Sequence, residues 1–350
     1  MKVTVKDKFL NVRIGRPSVN APCSQYLAPG TDVEVEDKVY QGDSYEGITI
    51  WYKDAESNYY WSGGVNVKAT LLSNLPWWIS QLKIPEIWNT QKELGTNVKI
   101  AVLDTGYNIN NTDVSPAVIK SSIFIESANG INDVQGHGTH CASLIAGRNQ
   151  KNITGCAPKA SILVGKISEK GALAKYSILV SAIKWAIENG AEIISISSGG
   201  EEPDTELEKA IAEAVSKNIL VISSIGDFIE STPNAGLYPA LYKECLAVGG
   251  TNEARKKSKY SVVNTKTEIY APGENISAYA LKDTPEALNG TSQSTAIVAG
   301  ICGLIISRMK AKGKTYTVGQ IKNLLVTNSD EVAGSPGLKL ISPEKIFSQI

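Results

Sequence analysis

The sequence predicts an α/β protein: a doubly wound, mostly parallel sheet preceded by a small all-β barrel. Three observations carry this prediction. From about residue 97, near-continuous apolar runs recur as VKIAVLD (98–104), ASILVGKI (160–167), AEIISISS (191–198), NILVISSIG (218–226) and ECLAVGG (244–250). Such runs suit parallel strands buried on both faces, because helices cover both sides of the sheet. The stretches between them carry helical periodicity, so strand and helix alternate. Before residue 66 the rhythm differs, with short β-rich stretches and no helical run.

Taken in order, KVTVK, DVEVEDKVY, GITIWYK and SNYYWSGG alternate or are rich in β-branched and aromatic residues, with PGTD and DAESN as turns. They predict a barrel over 1–66, a linker over 67–76 and a larger domain over 77–350. Tyr40, Trp51, Tyr52, Tyr60 and Trp61 are expected in the barrel core, with a ligand groove as the second reading. In the larger domain, SILVSAIKWAIEN (177–189) places Ile178, Ala182 and Ala186 on one helical face, and Gly190 ends it. PDTELEKAIAEAVSKN opens with Asp204 or Thr205 as a cap and turns Leu207, Ile211 and Val215 toward the sheet. In such a sheet the chemistry belongs at the carboxyl ends of the strands.

Composition narrows the function classes. A chain of 350 residues fits one large domain and a smaller one. Lys+Arg and Asp+Glu both number 35, so no net field favours nucleic acid or an anionic membrane, and neither is expected as a partner. The basic run ARKKSK (254–259) reads as a solvated loop. No continuous apolar stretch reaches the roughly 18 residues of a bilayer span. The N-terminus lacks an apolar core followed by a small-residue cleavage site, so the chain as given is expected in the cytoplasm, and outside it only if a leader precedes this sequence. Cys23, Cys141, Cys156, Cys245 and Cys302 are odd in number and form no CxxC pair, which predicts buried free thiols in a reducing compartment. A catalytic Cys141 is the weaker alternative.

Three motifs fall where the architecture puts active sites. Asp104 ends the apolar strand of VKIAVLDTG, and Gly106 lets the chain turn away. GHGTHCASLIAG holds His137 and His140, the sequence's two histidines, where a loop enters an apolar helix. NGTSQSTAIVAGICGLII puts Ser292 at the mouth of a buried helix, whose first N–H groups are unpaired and attract an anion. Serine needs a base to take its proton, and the base needs a third group to hold its tautomer. Asp104, His137 and Ser292 supply those roles, in a chain order known for this geometry. Each motif has a blander reading. DTG also occurs in aspartic proteases, but only one copy is present. Two histidines three residues apart suit zinc, yet no third ligand is evident. GTS before a helix is often only a cap.

The stretch from about residue 75 to the end resembles the catalytic domain of subtilisin-like serine proteases, the subtilases of peptidase family S8. PWWISQLKIPEIWNTQKELGTNVKIAVLDTG, GCAPKASILVGKI, AIKWAIENGAEIISISSGG and IYAPGENISA carry the likeness beyond the motifs. The resemblance implies that Asp104 orients, His137 acts as base and then acid, and Ser292 attacks, while His140 is structural. It implies one wall of the pocket for the residue before the cut from Ser197, Ser198 and Gly199. The other wall and base come from Ser224, Ile225, Gly226 and Leu237, and Gly171, Ala172 and Leu173 form the edge that pairs with extended peptide. The substrate is then an extended peptide or protein. LNVRIGRPSVNAP, LAPGTDVEV and WYK loosely resemble a bacterial SH3-like domain, which implies a cell-wall or peptide ligand. No cofactor is required. Calcium is common in the family, but no ligand cluster here is convincing.

Two departures matter. Where the family has an asparagine whose amide donates to the oxyanion, VISSIGDF puts Asp227. In subtilisin, losing that one donor costs roughly a hundred- to thousand-fold in turnover. An ionised Asp227 would repel the developing charge, whereas a protonated one would donate. The remaining oxyanion donors are the amide of Ser292 and, as helper, Thr291. The expected function is therefore a serine endopeptidase with an acidic oxyanion residue, favoured at mildly acidic pH. The alternative is a catalytically impaired subtilase fold that binds peptides. The second departure is an N-terminal domain unlike the family's pro-segment, which raises self-cleavage within 67–76. Leu237 stands where relatives often have glycine, so a narrowed pocket is expected, while Glu201 and Glu202 read as a solvated loop.

Overall fold

The computed structural model describes residues 2–36, 38–68, 75–91, 93–148, 155–169, 174–227, 235–282 and 284–350. The chain divides into two compact units, Met1–Leu75 and Pro76–Ile350. Residues 69–74, in the expected linker, lie outside the described residues, as does any cut within them.

The first unit is all-β: β1 (Lys2–Val5), β2 (Leu10–Ile14), β3 (Cys23–Leu27), β4 (Asp32–Glu34), β5 (Tyr40–Tyr45), β6 (Ile48–Lys53), β7 (Asn58–Trp61) and β8 (Val65–Lys68). They form a three-stranded sheet in the order β4-β1-β8 and a five-stranded sheet in the order β3-β2-β7-β6-β5. All pairings are antiparallel. Val3, Val5, Val12, Tyr52, Tyr60 and Val65 share one core, as period-2 alternation requires. Trp51 is buried too, while Tyr40 and Trp61 are half-buried. The core reading holds for Trp51, Tyr52 and Tyr60, while Trp51 and Trp61 also line a groove with Phe9, Tyr45, Lys8 and Arg13.

The second unit alternates strand and helix. It begins with α1 (Trp77–Gln81), α2 (Ile84–Gln91), β9 (Lys99–Asp104), β10 (Val118–Ile123), α3 (His137–Ala146), β11 (Ser161–Lys166), α4 (Tyr176–Glu188), β12 (Ile193–Ile196), α5 (Thr205–Ser216) and β13 (Leu220–Ser224). It continues with β14 (Leu246–Thr251), β15 (Ile269–Pro272), β16 (Ile276–Tyr279), β17 (Pro285–Leu288), α6 (Thr291–Ala311), α7 (Val318–Thr327), β18 (Asp330–Val332), β19 (Ser335–Leu340) and α8 (Pro343–Phe347). The main sheet has nine strands in the order β10-β11-β9-β12-β13-β14-β15-β19-β18, parallel except for the β18–β19 edge pair. β16 and β17 form a separate hairpin. On α4 the buried face is Leu179, Ala182, Ile183, Ala186 and Ile187; Ile178 sits at its margin instead of its centre. Asp204 caps α5 by accepting from Leu207 N at 2.8 Å. Leu207 and Ile211 are fully buried and Val215 packs at the edge.

Helix α6 runs from Thr291 to Ala311. Its 21 residues are long and apolar enough to cross a membrane by length and composition. Glycines and hydroxyl residues break its apolar run, so a scan for continuous apolarity passes it over. Nearly every side chain from Thr291 to Ser307 is buried within the fold, so α6 is the core helix of this unit.

Candidate active site

The site grows from the carboxyl end of β9. Asp104 is the last residue of that strand, and Gly106, with φ of 101°, turns the chain away in a conformation side chains resist. The turn leaves room for α3. A Cβ at Gly138 would lie 2.3 Å from Gly106 O, so only glycine lets the start of α3 come this close. His137 opens α3, and its Nδ1 lies 2.8 Å from Asp104 Oδ1. An ionised carboxylate there fixes the proton on Nδ1 and frees Nε2 to act as a base. Burial opposes a charge on the His137 ring, but the adjacent Asp104 carboxylate outweighs it and holds the pKa well above the ordinary value. Cys141 lies one turn on, with Sγ 3.9 Å from His137 Nδ1, and burial raises its thiol pKa, which keeps it a thiol.

A second carboxylate assembles this geometry, and sequence reasoning missed it. Asp133 is buried and accepts five hydrogen bonds, from Thr105 Oγ1, Gln135 N, Gly136 N, Thr139 N and Thr139 Oγ1. Thr105 Oγ1 in turn accepts from Gly138 N at 2.9 Å. The neighbour of Asp104 and the first turn of α3 are thus tied to one anion, which also suits the positive end of the helix. The available signal was an acid a few residues before a helix start, a capping pattern.

His140 is structural, as the resemblance implied. Its Nε2 lies 3.0 Å from Ile276 O and 3.2 Å from Glu286 O, so that nitrogen carries the hydrogen and ties α3 to the hairpin. Burial pushes its pKa down to about 4. His140 Nε2 faces carbonyls and His137 Nδ1 faces Asp104, so these two ring nitrogens have separate partners.

Ser292 is the second residue of α6, half-buried, and α6 packs against α3. Ser197 O–H donates to Ser292 O at 3.5 Å, at the limit of a hydrogen bond, and also interacts with Cys141. The hydrogen bonds of the described residues do not include one from Ser292 Oγ to His137. Asp227 follows β13 and is bridged to Ser261. Its Oδ1 accepts from Thr291 N at 2.7 Å and from Thr291 Oγ1 at 2.9 Å. Both Thr291 donors are therefore engaged with Asp227, and Thr291 is not the free oxyanion helper that was expected. Asp227 stays open to solvent on one side, yet burial of its carboxyl is the largest influence and raises its pKa. The Thr291 hydrogen bonds and the charge of His137 act in the opposite direction.

The expected pocket walls meet through Leu237 and Tyr238. Gly200 and Tyr238 exchange backbone hydrogen bonds at 3.0 and 2.8 Å, and Leu237 N donates to Ile225 O at 2.8 Å. Leu237 fills the notch between Gly199 and Gly226: a Cβ on either glycine would lie 3.2 Å from Leu237 Cβ or 3.0 Å from its Cγ, respectively. Ser198 Oγ accepts from Ala174 N at 3.0 Å. Ile225 departs from expectation. Its side chain is fully buried with Ala240, Ala247 and Val262, and its backbone is taken by Val248 and Leu237, so it has nothing left for substrate. Gly171, Ala172 and Leu173 lie outside the described residues.

A model of the subtilase family matches residues 95–341. The chain belongs to that family. Subtilisin NAT of Bacillus subtilis subsp. natto is 34% identical over 266 residues, covering 75% of this chain and 68% of the relative. The major intracellular serine protease of Bacillus subtilis (strain 168) is 33% identical over 292 residues, covering 79% of this chain and 91% of its own. Thermitase of Thermoactinomyces vulgaris is 30% identical over 257 residues, covering 73% and 88%. This subtilase is a serine protease, a hydrolase of peptide or protein substrates. For a metal, the described residues offer one grouping of three ligand-type side chains, Asp104, His137 and Cys141. A thiol and an imidazole do not suit calcium, which takes a shell of oxygens.

Proposed function

We propose that the protein is a serine endopeptidase in which Asp104, His137 and Ser292 form the triad and Asp227 serves the oxyanion. The observation that carries this reading is the 2.8 Å Asp104–His137 pair beside the start of the helix bearing Ser292. Ser292 Oγ closes on His137 once substrate fills the cleft, since catalytic hydrogen bonds often tighten only then. The hydroxyl oxygen attacks the peptide carbonyl carbon, and its proton passes to His137 Nε2. The carbonyl oxygen gains the charge and faces the Ser292 N–H. His137 then gives its proton to the leaving amine, and water repeats the sequence on the acyl-enzyme.

Asp227 helps only with a proton on its carboxyl. Turnover then needs His137 neutral and Asp227 protonated at the same moment, so the pair titrates together and the rate follows a bell. Asp227→Asn should remove the alkaline limb, leaving a single rise through the His137 titration, and should raise turnover on that side. A profile unchanged by Asp227→Asn defeats the oxyanion assignment. The triad is tested separately with a fluorophosphonate: labelling of the folded protein, lost in Ser292→Ala, is the expected result, and labelling that survives the substitution refutes it. Digestion of a proteome-derived peptide library reads the cleavage preference. Leu237 in the notch between Gly199 and Gly226 favours small side chains there.

For the first unit we infer an SH3-like fold, with a peptide or cell-wall ligand in the groove between Phe9, Tyr45 and Trp61. Peptidoglycan fragments added to full-length Ser292→Ala protein should perturb tryptophan fluorescence, and Trp61→Ala should abolish the response. The five free thiols, four of them buried, support a cytoplasmic placement.

A further inference from the structure

Thr291 satisfies one oxygen of Asp227 and leaves the other, Oδ2, without a donor among the described residues. A second acceptor without a donor lies close by. Gln293 follows Ser292 directly, is 1% exposed, and has its Oε1 buried with no hydrogen-bond partner. Both oxygens crowd the same glycine. A Cβ placed on Gly290 would lie 2.8 Å from Asp227 Oδ2 and 3.1 Å from Gln293 Oε1. Native folds rarely leave a buried acceptor such as Gln293 Oε1 unsatisfied, and a hydrogen on the neighbouring, partly solvent-open Asp227 Oδ2 would satisfy it.

We propose that Gln293 is the positioning residue for Asp227: the proton that makes Asp227 a donor sits on Oδ2, is held by Gln293 Oε1 before attack, and turns to the substrate oxygen as charge develops. No bond beyond that hydrogen bond is made or broken, and the proton stays on Asp227 throughout. This rests on the oxyanion reading of Asp227 given above. The charged group acting on Asp227 is His137. The segment bridged to it through Ser261 carries Lys257, Lys259 and Tyr260. Lys257 Nζ donates to the carbonyls of Ser258 and Ser261, and Lys259 Nζ lies 5.0 Å from the Tyr260 ring centroid. On the helix side, Thr291 contributes uncharged donors. Gln293 is thus the neutral acceptor on α6 placed to favour the protonated carboxyl over the ionised one.

The test is a double-mutant cycle read as pH profiles of kcat and kcat/KM. Gln293→Met keeps the side chain's length and removes the acceptor. It should move the acidic limb, which follows the lower-titrating Asp227, down by about half a unit or more and lower the kcat maximum in proportion, with KM changed less than about twofold. In the Asp227→Asn background the same substitution should move nothing. An acidic limb that ignores Gln293→Met, while Asp227→Asn abolishes the alkaline one, overturns the role of Gln293 and leaves Asp227 in place. A limb that survives Asp227→Asn overturns both. Equal shifts in the two backgrounds show that the effect bypasses Asp227 and overturn the proposal. If the methionine variant folds poorly, Gln293→Asn withdraws the same carbonyl by one methylene and is read on the same limb.

Discussion

His137 and His140 sit on one turn of one helix and differ in nearly everything that matters chemically. His137 keeps 20% of its side chain exposed and has a carboxylate at 2.8 Å. His140 is fully buried and has two backbone carbonyls as its only hydrogen-bond partners among the described residues. Burial works against charge on both rings. Asp104 touches His137 and reverses that effect there but acts on His140 only weakly, so the pKa of His137 rises while that of His140 falls to about 4. Three residues of spacing separate a carboxylate-paired ring from one that donates to carbonyls, and the difference lies in what the neighbouring strand and hairpin bring to each ring.

The comparison breaks most forcefully at Asp104. Asp104→Asn removes the anion and turns the wrong tautomer toward Ser292, and it should lower kcat by about 10⁴-fold. With burial then unopposed, the residual activity should show its alkaline limb, set by the higher-titrating His137, at lower pH than the parent. A limb that stays in place would mean that something other than Asp104 sets the His137 titration.

His140 predicts a stability effect instead. Its folded pKa lies below the unfolded value of about 6.5, so the unfolded chain binds more protons between those two values. Stability is therefore fully present above about pH 6.5 and is lost as pH falls toward 4, by about 3 kcal/mol from this residue alone. Urea unfolding of the Ser292→Ala protein across that range should show the slope. His140→Gln, whose amide can still donate to the carbonyls of Ile276 and Glu286, should flatten it. An equal slope in both proteins would assign the acid sensitivity elsewhere.

Much of this contrast was legible in the sequence, and the reason is local. The run VKIAVLD fixes where β9 ends and thus where Asp104 points, and the glycines at 106 and 138 mark the close approach of turn and helix. The first turn of α6 was legible for the same reason, as a cap signal before an apolar helix. Asp133 and Gln293 were not, because their importance comes from partners that folding gathers. Asp133 gains weight only when Thr105, from 28 residues earlier, reaches its carboxylate. Gln293 gains it from Gly290 and Asp227, the latter on another strand's end. Ile225 was misplaced because a residue beside a pocket wall in sequence can turn its side chain into the core. The burial of α6 was legible, but its span-like length and composition were hidden by the glycines and hydroxyl residues that interrupt its apolar run.

The smallest predicted effect concerns Cys141, the thiol beside His137. Cys141 follows His140 on α3 and sits near the His137 face, where a thiol invites the idea of a competing nucleophile or base partner. Its burial argues against both roles, since a thiolate there has no water and its pKa is raised. Cys141→Ala should leave kcat within about threefold, keep the His137 limb set by Asp104, and cost about 1 kcal/mol through lost packing. Should activity vanish with the fold intact, the thiol belongs to the chemistry, and the division of labour between His137 and His140 has to include it.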